Sequence, residues 1–123
     1  MVRKGDELAE RLLDFAARVG KVVDALPETR LGRHVAGQLV RCGTSPAPNY
    51  PEARGAESRK DFVHKLSICL KELRETQCWL QLISKAEMLS NERLGDLLNE
   101  SVQLMNIVAK SIVTTKASIR GSS

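Results

Sequence analysis

Aromatic side chains are nearly missing from this chain, with two Phe, one Tyr and one Trp in 123 residues. Clusters of β-branched and aromatic residues between turn signals do not occur, which argues against a sandwich or barrel. Long apolar runs are absent too. None approaches the roughly 20 residues that cross a bilayer, so no membrane association is expected. Arg3, Lys4 and Asp6 interrupt the N-terminus before a signal-peptide core can form. Cysteine is scarce: Cys42, Cys69 and Cys78 are an odd number with no CxxC pair. That spacing suits reduced thiols in the cytoplasm better than a disulfide framework or a zinc site.

The motifs of catalysis are lacking as well. The sequence holds no GxGxxG, no phosphate-binding Walker loop and no GxSxG. His34 and His64 have no second His or Cys at i+3 or i+4, the spacing that would place two ligands on one helical face. Cys42 reads as a small core filler. No catalytic, metal or cofactor site is assigned, and a non-enzymatic protein is expected.

What is present is helix. Hydrophobic residues make up 42% of the chain, and strong helix formers recur throughout. Leu8, Leu12, Phe15, Ala16, Val19, Val23 and Leu26 recur at steps of three and four between Asp6 and Pro27. Leu31, Val35, Leu39 and Val40 mark a second helix starting near Glu28 or Thr29. It runs into Pro46, Pro48 and Pro51, which remove backbone donors and clash with the preceding turn. A kink, a break or an extended stretch is expected there, then a short helical piece near Glu52 to Ala56.

Ser58 is a plausible N-cap for a third helix carrying Phe62, Leu66, Cys69, Leu73, Thr76, Leu80 and Ile83. A fourth, after Ser90 or Asn91, carries Leu94, Leu98, Val102 (or Ser101), Met105, Val108 and Ile112. The expected fold is all-α: an up-down antiparallel four-helix bundle with a proline-kinked or broken second helix. Residues 6–118 form the bundle in this reading, with 1–5 a flexible N-terminus and 119–123 a disordered tail.

Two sets of polar residues stand out. In the third helix Lys71, Glu72, Glu75 and Thr76 precede Trp79. They form either a solvated face with local ion pairs or a partly buried network in which Glu72 or Glu75 meets Arg41 or Asn49. The second set is cationic, on a net charge of +4. Arg30, Arg33 and Arg41 lie on the second helix, Arg54, Arg59 and Lys60 follow it, and Lys65 is in the third. Such a spread becomes a nucleic-acid surface only if the fold or an oligomer aligns it. With few aromatic platforms, contacts would go to the backbone and carry little sequence preference.

The run Gln38-Leu39-Val40-Arg41-Cys42-Gly43-Thr44-Ser45, then Asn49-Tyr50, Glu52-Ala53 and Ser58, is one half of a longer pattern. The other half is Asp61-Phe62-Val63-His64-Lys65-Leu66, Ile68, Leu70-Lys71-Glu72, Glu75-Thr76 and Trp79-Leu80. Together they resemble the four-helix-bundle family named after proteins encoded in intervening sequences of 23S ribosomal RNA genes. The resemblance implies a bundle that assembles as a ring, commonly a homopentamer. It also implies a distant kinship with the accessory variability protein of diversity-generating retroelements, a basic pentamer that binds nucleic acid and a reverse transcriptase. Arg41, Asn49, Glu52, Lys71, Glu72, Glu75 and Thr76 all match signature positions, which strengthens the network reading. Departures are Pro46, Pro48 and Pro51 in place of helix-compatible residues, Cys42 for Ser, Cys78 for an aromatic, and Leu73 for a small residue.

The expected partners are further copies of the chain, then RNA or DNA, or alternatively a protein partner such as a reverse transcriptase. In the protein-docking alternative, Trp79, Leu82 and Met88 supply an outer apolar interface.

Overall fold

A computed structural model describes residues 5–121. Within it α1 (Asp6–Ala25), α2 (Arg30–Thr44), α3 (Pro46–Arg54), α4 (Arg59–Lys85) and α5 (Asn91–Gly121) build four rods, because α2 and α3 are one bent rod. Each rod packs on the next in chain order, and α5 closes against α1. At about 1.5 Å per residue, α4 and α5 are rods of about 40 and 46 Å.

Local chemistry places each start. Thr29 caps α2 by accepting from Gly32 N at 3.0 Å, and Ser58 caps α4 by accepting from Asp61 N at 3.0 Å. A Cβ on Gly32 would fall 2.0 Å from the Pro27 carbonyl oxygen, so this tight entry into α2 requires glycine. Asp6 and Glu7 lie in the first turn of α1, where the helix dipole favours anions.

The proline segment is helical. Ser45 has helical dihedrals, so the backbone passes from α2 into α3 through a bend. Pro46 and Pro48 sit in the first turn of α3, where intrahelical N–H groups are orphaned in any case. Helix therefore begins at Pro46, six residues before the expected piece at Glu52. Pro51 is interior to α3.

The core is aliphatic around Phe15, with Leu12, Val19, Val35, Leu39, Leu66, Leu73, Leu80 and Ile83 all at 1% exposure or less. Gly43 lets α2 approach α1 closely, since a Cβ there would sit 2.7 Å from Val19 Cγ1. In α4 the expected stripe is buried from Leu66 to Ile83, Thr76 included, while Phe62 is half-buried and Leu70 joins the stripe.

In α1 Val22 is buried where Val23 was expected, and α2 and α5 differ more. Leu31 and Val40 of α2, expected inside, are 44% and 41% exposed. In α5 the seam runs through Leu94, Leu97, Ser101, Leu104, Val108 and Ile112, leaving Val102 exposed and Leu98 and Met105 at its flank. Two adjacent heptad-like stripes compete on this helix. The inner one is chosen even though it contains Ser101, whose hydroxyl is satisfied by the Leu98 carbonyl at 2.6 Å. α5 also continues to Gly121, so residues 119–121, read as part of a disordered tail, are helical. Residues 1–4 and 122–123 of the expected flexible ends lie outside the described residues.

Candidate functional site

A polar seam runs along the outside of the junction between the α2–α3 rod and α4. Its centre is Arg41. One guanidinium nitrogen donates to Glu72 Oε2 at 3.1 Å, and the other donates to Glu75 Oε2 and to Gln38 Oε1, the latter at 3.3 Å. Glu75 also accepts from the Trp79 indole at 3.1 Å. The Trp79 ring meets His34 edge-on, with centroids 5.7 Å apart. Glu72, Glu75 and Trp79 share a face because they recur at steps of three and four on α4.

Of the seven residues expected in the network, three are thus joined. Arg41, Glu72 and Glu75 come together with Trp79 from the same face of α4, while Gln38 and His34 join them unforeseen. Spacing on α2 was the available signal, since residues 34, 38 and 41 recur at four and three. Thr76 is buried beneath, donating to its own helix at the Glu72 carbonyl, 2.8 Å away. Asn49 does not reach the cluster, and its amide donates instead to Ser45 Oγ at 2.8 Å. Glu52 lies further along in a small depression with Asp61, His64 and Lys65. Lys71 is exposed on the outer face of α4.

The seven candidate cations are not gathered on one face. Arg41 is neutralised by two carboxylates, and Arg54 pairs with Asp6 at 2.9 Å. Arg33 donates to the Glu28 carbonyl at 2.7 Å. Arg30, Arg59 and Lys60 are exposed, and Lys65 is half-buried. Trp79, Leu82 and Met88, read as outer residues, pack against the core. Among the described residues, the exposed large apolar ones are instead Leu13, Leu31, Val40, Ile68, Val102, Ile107 and Val113.

The three cysteines have unlike surroundings. Cys42 and Cys69 are buried and Cys78 is exposed. Burial raises the Cys42 thiol and pushes that of Cys69 from its ordinary 9.0 up to about 11. Among the described residues, no group of three or more His, Cys, Asp or Glu side chains is placed to hold a metal ion. No helix there is long and apolar enough to cross a membrane.

Fold and seam together define a small all-helical bundle whose second rod is clamped to α4 by an arginine between two glutamates. The chain belongs to the 23S rRNA-intervening sequence protein family, which matches residues 7–110. It is similar to a crystal structure of a protein with unknown function from the S23 ribosomal protein family of Bacteroides thetaiotaomicron. The two share 32% identity and a TM-score of 0.80, over 85% of this chain and 97% of that one. No curated protein matches it.

Proposed function

We propose that the protein is a non-enzymatic, self-assembling bundle whose ring oligomer presents cations to the backbone of RNA or DNA. The observation that carries this reading is the outer line of α5. Val102 and Val113, 40% and 64% exposed, lie eleven residues and three turns apart on one side. Half-buried Met105 and Ala109 lie beside them. Lys116 and Arg120 continue the line, and no acidic residue occurs after Glu100. An apolar strip that ends in cations suits contact between copies that brings positive charge together. Arg30 and Lys60, with no ion pair among the described residues, supply further charge.

The test is anisotropy of labelled RNA and duplex DNA across a salt series. Binding should weaken with a log–log slope of about −0.9 per phosphate neutralised on duplex DNA. A double change, Lys116→Glu with Arg120→Glu, should abolish it. No binding of either polymer at low salt sinks the nucleic-acid reading.

A protein-docking adaptor is the second reading. The neutralisation of Arg41 and Arg54 favours it, and exposed Leu31, Val40 and Ile68 would then be its contacts. Co-purification separates the two, because partner capture should survive the charge reversals while nucleic-acid binding should not.

A further inference from the structure

The solvent face of α4 carries charge of one sign. Ser67, Lys71, Arg74, Cys78, Gln81 and Lys85 are exposed and follow at steps of four and three, so they form one line along the helix. Lys60 and His64, also exposed, begin the same line two turns and one turn earlier. Its cations, Lys60, Lys71, Arg74 and Lys85, make no ion pair among the described residues.

No acid interrupts the line. The three acids of α4 are half-buried to its side: Glu72 and Glu75 hold Arg41 across the junction with α2, and Asp61 lies in the depression with Glu52. On α5, Asp96 and Glu100 are one turn apart, and Glu100 takes Arg11 of α1, which puts both on the edge away from α4. Acids stand at the two ends, Glu57 before the helix and Glu87 and Glu92 about the turn into α5. Lys71 and Arg74 therefore occupy the stretch that is clear of them. Phe62 and Thr114 line one groove, so the start of the line lies beside the cationic end of α5.

Resting on the nucleic-acid reading above, we propose that the α4 line is where a duplex lies, with Lys71 and Arg74 as its central phosphate contacts. From Lys60 to Lys85 the helix spans about 37 Å, or about eleven base-pair steps at roughly 3.4 Å each. Proteins that hold single strands stack bases on aromatic side chains between their cations, and the line carries none. A double-stranded backbone is the partner that fits. Ser67 and Gln81 add neutral donors for phosphate oxygens.

Anisotropy of a labelled duplex DNA across a salt series tests this, with a single strand of the same length beside it. Lys71→Glu with Arg74→Glu should weaken duplex binding about tenfold or more and make the log–log salt slope shallower by about 1.8. Lys21→Glu with Arg93→Glu, the same charge change on other faces, should alter binding less than about twofold. Circular dichroism checks that both variants keep their helix content. A second readout uses the unmodified protein: Cys78 lies one turn beyond Arg74 and the other two cysteines are buried, so bound duplex should slow thiol modification of Cys78 about fivefold or more. Equal losses in the two double variants, or Cys78 modified as fast with duplex as without, overturn the α4 line while nucleic-acid binding elsewhere on the molecule stands. Tighter binding of the single strand overturns the duplex assignment. No binding by the unmodified protein overturns the underlying reading and this one with it.

Discussion

A thiol deep in an aliphatic core resists ionisation because the thiolate loses its hydration there. Cys69 is held neutral up to about 11, against an ordinary value of 9.0. The unfolded chain therefore gives up this proton first. The contribution of Cys69 to stability is complete below about pH 9 and is lost as pH rises towards 11. Urea midpoints measured from pH 8 to 11 should fall through that window, and Cys69→Ala should flatten the fall. A thiol reagent at pH 8 should modify Cys78 quickly, and Cys42 and Cys69 only on unfolding. At Gly43, alanine would press a methyl group into Val19, and the variant should lose about 1–3 kcal/mol in urea unfolding. Trp79 is the only tryptophan, so its fluorescence reports the Arg41 cluster. Arg41→Ala frees Glu75 and should shift that emission to longer wavelength.

At the scale of elements, helix starts were legible because they are written in local chemistry. Thr29 and Ser58 act within a turn of themselves, and the structure starts α2 and α4 at those signals. The α4 stripe from Leu66 to Ile83 was equally legible, since its apolar residues repeat over several turns at four and three. The α5 register was not. Leu98, Val102 and Met105 compete with Leu97, Ser101 and Leu104, and tertiary packing chooses between them. The prolines misled for a related reason: a bend turns the interior of one helix into the first turn of another, where a missing N–H costs little. Pro51 remains in the interior. Pro51→Ala restores a donor towards the Ala47 carbonyl and should stabilise the protein by about 1–3 kcal/mol in urea unfolding, the gain being trimmed by a more flexible unfolded chain. Part of the candidate network was legible, because Arg41 and the two glutamates declare themselves by charge. The contributions of His34 and Gln38 depend on how α2 is rotated against α4, which no single helix encodes.

At the scale of the molecule, the four rods hide their seams but leave Val102 and Val113 in water on α5. Contact between copies along that line would remove them from solvent and bring Lys116 and Arg120 of neighbouring chains together. The direct test is the mass in solution by light scattering at increasing concentration. Self-assembly predicts a particle several times the 13.6 kDa of one chain, reduced to a single chain by Val102→Glu with Val113→Glu while helix content is unchanged. A particle of one chain at every concentration would contradict it.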